Sequence, residues 1–432
     1  MNPLAIELNK TLQGSVALDL LSDFGKRFFF PKGIVAQTAE AAQHAHKFKA
    51  TVGMAYENME PIHLKEIKAC IPDLSSEEIF SYAPSAGDAA LRKAWLDEMR
   101  KKNPSLKDAS LSLPIVTTGI TNGISTIADL FVDKGDKILI PDLFWGNYRL
   151  IFQECNGGVI VSYPFYNAQG GLNIDSIKNA IEAQPKSAKT ILLFNFPNNP
   201  TGYTPSASEM AQLKKLLVDE AESGRKLLVL SDDSYFGLFF EKETAKESLF
   251  ALLCDAHENI LAVKLDGATK EDFVWGFRIG FITYGSKGLS NEQYDALLKK
   301  TTGAIRANIS NSNRLGQSLL LYAMKSSDYE KNKNQAFDIL NKRYLKVKEI
   351  LAAHKSDYLK VLPFNSGYFM CFRCEKINAE DLRLYLLYKR GIGTISIGDE
   401  YLRIAFSSVE YDDLAELYQE IYDGADELAK QK

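Results

Sequence analysis

Lys270 and Arg278 stand eight residues apart in Leu261–Ile282, LAVKLDGATKEDFVWGFRIGFI, a stretch that reads as a buried apolar run, a polar loop and a second apolar run. A lysine at the end of a strand can condense with an aldehyde. A guanidinium close by can clamp a phosphate through two hydrogen bonds. The pair would suit a small molecule that carries both groups. A solvated lysine and a structural ion pair look the same on this loop alone, so the reading rests on what other residues converge there.

Several further runs end in residues of the right type. TTGITNG pairs a glycine, Gly119, with the start of a helical pattern. The amides of Ile120 and Thr121 would face an anion at the helix N-terminus, although a simple helix cap reads equally well. In PDLFWGNY, Trp145 offers a flat ring for stacking on an aromatic ligand; a core tryptophan is the other reading. NFPNNPTG packs Asn, Pro and Gly more densely than a turn requires. In SDDSYFG, Asp232 would end a buried strand and so needs a partner or a cation, which a protonated pyridine nitrogen would supply. Tyr235, three residues on, could hydrogen-bond a phenolic oxygen.

These runs must be brought together by a common frame. Seven short β-rich stretches begin near residues 114, 137, 159, 190, 226, 260 and 278, and helix-length segments such as 121–133, 174–183 and 206–223 separate most of them. Such alternation predicts an α/β fold: a mostly parallel seven-stranded sheet covered on both faces, in a three-layer domain. The gap before the seventh run is too short for a parallel crossover, which predicts that this last strand is antiparallel. In such sheets ligands bind beyond the carboxyl ends of the strands, where the polar residues fall. After residue 310 a long amphipathic helix (332–355), the run LKVLPFNSGYFMCFR, a helix near 379–390 and YLRIAFSS predict a smaller α+β domain. The expected division is a large domain over 66–310 and a small domain from 1–65 with 311–432. A helix-like segment around 17–24 and a break at Pro31–Gly33 precede them.

Composition narrows the class. The 432 residues exceed one hydrophobic core. The chain is 46% hydrophobic and 25% charged with a formal net charge of −4, and it has no basic stripe for nucleic acid or an anionic membrane. Its five cysteines are odd in number and scattered; Cys371 and Cys374 form a C-x-x-C in a strand-like run and read as half-buried strand residues. His44 and His46 are too closely spaced to share a helix face, and no metal site is expected. No secretory signal or membrane-length apolar run is visible, which predicts a cytoplasmic protein.

With these residues in place, the chain resembles the fold-type I pyridoxal-phosphate aminotransferases of class I/II, and within them the aspartate and aromatic group. The motifs are YAPSAG (82–87), WGNY (145–148), NNPTG (198–202), DDSY (232–235), ATK with FRIG (268–280) and LRIAF (402–406). The resemblance implies that Lys270 bonds the cofactor aldehyde, Asp232 partners the pyridine nitrogen, and Tyr235 and Asn199 bind the ring oxygen. It makes Trp145 the stacking aromatic and Arg278 the phosphate arginine, assisted by Gly119, Ile120 and Thr121. Tyr82 matches a tyrosine that reaches the phosphate of a neighbouring subunit, which implies a homodimer with shared sites. Arg403 matches the arginine for the substrate α-carboxylate, and Gly53 is a further substrate contact.

The sequence departs from the pattern at two points, one of them the spacing from Pro141 to WGNY, which Asp142–Phe144 make unusual. Family members often carry a serine three residues before the lysine, and here that residue is Gly267; Thr269 is the nearby hydroxyl. Arg306, in IRANISNSNRLGQ, resembles an arginine that crosses the dimer interface to bind a distal carboxylate; a surface or interface arginine reads nearly as well, and Arg314 is a weaker candidate. The implied activity is ping-pong transfer of an amino group between aspartate, glutamate or an aromatic amino acid and a 2-oxo acid such as 2-oxoglutarate, with Lys270 as general base. A lyase or decarboxylase on the same fold would use the same lysine and aspartate. A non-catalytic regulatory protein is the remaining alternative.

Overall fold

The computed structural model describes residues 1–11, 13, 34–51, 53–58, 60–62, 64–69 and 73–431. The helix-like segment around 17–24, the Pro31–Gly33 break, His63 and Cys70 lie outside them. The seven expected strands form one sheet: β1 (Ile115–Thr118), β2 (Lys137–Pro141), β3 (Val159–Tyr163), β4 (Thr190–Asn195), β5 (Leu227–Asp232), β6 (Ile260–Gly267) and β7 (Ile279–Gly285). Their order is β1-β7-β6-β5-β4-β2-β3. All neighbours are parallel except β7, which runs antiparallel to both β6 and β1. The short gap before β7 thus has the expected consequence. Every residue of β4, β5 and β7 is buried, as a sheet covered on both faces requires.

Helices follow from apolar spacing and local caps. The helix α1 (Gly119–Phe131) buries Ile120, Ile124, Ile127 and Ala128 on one side. Helix α2 (Ile174–Glu182) is capped by Asn173, and α3 (Ala207–Glu222) by a Ser206–Glu209 capping box. By contrast α1 has no side-chain cap at Thr118, so its first amides remain available to another acceptor.

A second sheet, antiparallel throughout, has the order β8-β9-β11-β10, formed by β8 (Leu359–Val361), β9 (Met370–Cys374), β10 (Ile395–Ile397) and β11 (Tyr401–Ile404). It packs with α4 (Tyr329–Ala353), α5 (Ala379–Arg390) and α6 (Leu414–Lys430) around a core that includes Tyr344, Phe372, Leu386, Leu402 and Tyr418. Ala50 joins this core, and Phe48–Lys49 pair in parallel with Ile392–Gly393. Among the described residues no helix is long and apolar enough to cross a membrane.

The NNPTG turn ties the two sheets together. Asn198 Oδ1 accepts from the Thr201 amide and hydroxyl, and Asn365 and Ser366 donate their amides to Gly202 O. Gly202 has φ +74°, and a Cβ there would lie 2.0 Å from Phe369 O. Only glycine permits that approach, so the density of turn residues is explained by docking between sheets.

Candidate active site

The carboxyl ends of β1, β4, β5 and β6 surround a cavity of about 240 Å³, walled by Ile120, Thr121, Trp145, Tyr148, Asn195, Asn199, Asp232, Ser234, Tyr235, Thr269, Lys270, Trp275 and Arg278. Nine of these were expected from the sequence. Register explains the convergence: Asn195 pairs with Asp232 and Asp232 with Leu265, which places three strand ends in one row.

Asp232 is buried and well supplied with donors. Ser234 gives Oδ1 both its amide (3.0 Å) and its hydroxyl, and Tyr148 gives Oδ2 its phenol. Burial and the Asp232 charge hold the Tyr148 hydroxyl far above its usual pKa, so it remains a donor. Asn195 Nδ2 donates to Asp232 O at 2.8 Å, and Asn195 Oδ1 accepts from the Asn199 amide at 2.7 Å. These contacts fix the relative positions of Asp232 and Asn199.

The Lys270 ammonium lies 4.7 Å from the centre of the Tyr235 ring. Burial, opposed by Asp232 and aided by Arg278, lowers the Lys270 pKa from 10.5 to about 8. Burial raises Tyr235, keeping its hydroxyl protonated; Arg403 opposes this effect and Asp232 adds to it. Behind the lysine, Glu271 pairs with Lys102 and Lys333, and Asp272 with Lys333 at 3.1 Å. Lys264 likewise pairs with Asp233 beneath Asp232. The backbone on both sides of the site is thereby pinned by buried ion pairs.

Arg278 has left-handed backbone, φ 56°. Gly119, φ +73°, abuts it so closely that a Cβ would lie 2.3 Å from Arg278 Nη2. The guanidinium is thus held against the uncapped N-terminus of α1. Arg403, fully buried on β11, donates Nη1 to Asn199 Oδ1 and Nη2 to Thr51 O, both at 2.9 Å, and stacks 4.2 Å from the Phe369 centroid. Its Nε has no partner. Burial lowers its pKa, opposed by Tyr235 and Cys371. Gly53 sits beside this group: a Cβ there would lie 3.6 Å from Tyr235 Oη.

Three expected residues stand apart within the single chain. Tyr82 is 91% exposed. Arg306, exposed at the end of helix Asn291–Asn308, donates to Ser310. Arg314 is held by Asp88 at 2.7 Å. Four lining residues had no expected role: Tyr148, Asn195, Ser234 and Trp275. Asn195 could have been found by the strand-end argument that identified Asp232. Tyr148 lay within WGNY, but nothing local links it to a residue 84 positions away. Among the described residues no group of His, Cys, Asp and Glu could hold a metal ion.

The sequence profile of the family described as aminotransferase class I and II matches residues 53–421. The chain belongs to this family. A probable N-acetyl-LL-diaminopimelate aminotransferase of Bacillus subtilis is 28% identical over 242 residues, 56% of either chain. A probable aspartate/prephenate aminotransferase of Aquifex aeolicus is 26% identical over 280 residues, 64% of this chain and 65% of its own. The chain therefore spans a little over half to just under two thirds of the length of these relatives. In fold, this class I/II member superposes on an aminotransferase from Anaerococcus prevotii with a TM-score of 0.84, at 23% identity over 94% of this chain and 99% of that one. A multiple substrate aminotransferase from Thermococcus profundus gives 0.79 at 16% identity, covering 96% and 99%.

Class I/II aminotransferases are pyridoxal-phosphate enzymes, and the cavity fits that cofactor. It offers an amine of lowered pKa, a carboxylate opposite it, a half-buried indole at Trp145, and an arginine beside an uncapped helix N-terminus. Thr269 Oγ1 and Trp275 Nε1 are buried on its wall without partners, as expected of groups awaiting a ligand.

Proposed function

We propose that the protein is a pyridoxal-phosphate-dependent aminotransferase. It would move an amino group between an L-amino acid (aspartate, glutamate or aromatic) and a 2-oxo acid such as 2-oxoglutarate, by a ping-pong mechanism. The observation that carries this reading is the convergence of Lys270, Asp232, Tyr235 and Arg278 in one cavity, where burial lowers the Lys270 pKa. When bound, the cofactor supplies an aldehyde for amines and an electron-withdrawing ring that stabilises negative charge at the substrate α-carbon.

The chain's residues divide the remaining work. Asp232 accepts three hydrogen bonds from Ser234 and Tyr148, and its remaining acceptor capacity would hold a protonated ring nitrogen. Tyr235 and Asn199 hold the ring oxygen. Trp145 covers one ring face. Arg278, Thr121 and the α1 amides take the phosphate, with Gly119 leaving room for the guanidinium. Arg403 binds the substrate α-carboxylate, and this contact orients the Cα–H bond. Lys270 Nζ would take the proton from the substrate Cα and deliver it to the carbon that came from the cofactor aldehyde. At pH 7.5 a pKa of about 8 leaves roughly a quarter of the amine as free base, against about 0.1% at the ordinary value.

The same reading makes the active unit a homodimer, with Tyr82 completing the partner's phosphate site. The exposure of Tyr82 supports this. Arg306 would act on a substrate's distal carboxylate in the partner's cavity, which accords with its distance from its own. We likewise assign residues 66–310 to a large domain and 1–65 with 311–432 to a small one, and place the protein in the cytoplasm.

The test is a half-reaction screen. The protein is mixed with each amino acid, bound cofactor is followed by absorbance, and 2-oxoglutarate is then added. Glutamate formation is expected. Elimination or decarboxylation products without glutamate would contradict the assignment.

A further inference from the structure

Gly267 stands where related chains often place a serine. A Cβ there would lie 2.6 Å from Ile279 O and 2.9 Å from Gly280 Cα, with Ile120 Cγ1 at 3.3 Å. The first two are backbone atoms of β7, which pairs Gly280 directly with Gly267. Gly280 is closed in turn: its Cβ would lie 2.6 Å from Gly119 C and 2.7 Å from Ile120 N. Three glycines, 119, 267 and 280, thus let the α1 N-terminus settle directly onto the β6–β7 ladder. No side chain fits at 267, and the cup must find its hydroxyl-type donor elsewhere.

The neighbouring loop offers two. Thr269 is 4% exposed and its Oγ1 has no partner. Trp275 Nε1 is buried and has no partner. Both residues line the cavity beside Arg278 and Thr121. Trp275 is held in place from two sides. Phe273 meets its ring at 5.9 Å and 68°, and Arg278 Nη1 donates to its carbonyl at 3.2 Å. Phe273 and Arg278, which bracket the turn, both have φ 56°. Non-glycine residues remain in the left-handed region where their surroundings over-determine them, as at ligand clamps. A buried indole N–H kept free in such a turn points to an acceptor not supplied by the chain.

We infer that the indole N–H of Trp275, together with the Thr269 hydroxyl, donates to the cofactor phosphate in place of the side chain that the glycine seam excludes at position 267. This rests on the cofactor assignment above and specifies its phosphate subsite. The seam and the two donors form one device: the helix N-terminus sits directly on the β6–β7 ladder, and the donors come from Thr269 and Trp275, on either side of Lys270 in the chain.

The experiment compares retention of pyridoxal phosphate and of pyridoxal, which lacks the phosphate, by equilibrium dialysis. The set comprises the parent, Trp275→Phe, Thr269→Val, Thr269→Ser and Gly267→Ser. Trp275→Phe keeps a ring and loses only the N–H; Thr269→Val keeps the shape and loses the hydroxyl. Each should weaken pyridoxal phosphate by roughly tenfold or more, the loss expected for a hydrogen bond to a charged group, and leave pyridoxal within about threefold. Thr269→Ser should bind like the parent. Gly267→Ser should bind more weakly despite its added hydroxyl. The inference is overturned if Trp275→Phe and Thr269→Val hold both compounds as the parent does or lose both equally, or if Gly267→Ser binds tighter. It is also overturned if Trp275→Phe changes only the association state by sedimentation, since the N–H would then belong to an interface. A parent that binds no pyridoxal phosphate would overturn the aminotransferase reading itself.

Discussion

Replacing Lys270 should make the cofactor-free protein more stable at neutral pH. The folded-state pKa of about 8 lies below the ordinary 10.5. Below pH 8 the folded chain therefore carries a charge that the cavity disfavours. The difference between 10.5 and about 8, at about 1.36 kcal/mol per unit, amounts to roughly 3 kcal/mol. The lysine side chain is partly accessible, and water returns some of this, so roughly 2–3 kcal/mol is expected. The sign follows from proton counting. Between about pH 8 and 10.5 the unfolded amine holds a proton that the folded one has lost, so stability rises with pH in that window. Lys270→Met removes the whole effect. Its gain should be full below pH 8, shrink as pH rises, and vanish near 10.5. With an unfolding entropy near 2.1 cal/mol/K per residue, the gain corresponds to a rise of about 2–3 °C in Tm. Paired thermal scans of parent and variant at pH 7 and pH 10.5 read it directly. A variant less stable than the parent at pH 7, or a gain independent of pH, would refute the argument that burial poises this amine.

Other perturbations address the groups around it. Tyr148→Phe removes one of three donors to Asp232 and should weaken retention of pyridoxal phosphate by about tenfold in dialysis, with an unchanged fold by circular dichroism. Arg403→Lys loses the forked guanidinium and should lower kcat/KM for every amino-acid substrate by roughly 10–100-fold, mainly through KM in steady-state assays. Arg306→Ala should lower kcat/KM for aspartate and glutamate at least about tenfold while leaving aromatic substrates within about threefold; equal effects on both classes would make Arg306 an interface residue only.

Much of this was legible in the sequence because the informative residues follow local rules. Alternating apolar runs specified seven strands, and the short spacer before Ile279 reversed the last one. Polar residues at strand ends marked the cavity, since an α/β sheet has one place to put them. What remained hidden depends on register and distant pairing. Tyr148 meets Asp232 only because β2 and β5 flank β4 in the sheet. Gly267 reads as a lost hydroxyl until its pairing with Gly280 shows that no side chain fits. Trp275 carries no local signal; its place on the cavity wall and its unpartnered N–H exist only in the folded chain. The seven-residue π-helical turn Arg149–Cys155, which follows Tyr148, likewise left no mark in the apolar periodicity.

The central claim is that Lys270 is the amine that bonds the cofactor. Borohydride reduction of the protein with bound pyridoxal phosphate, followed by peptide mass mapping, tests it most directly. The account predicts the reduced adduct on the peptide containing Lys270 and its loss in Lys270→Ala. An adduct on any other lysine, or one that persists in that variant, would contradict it.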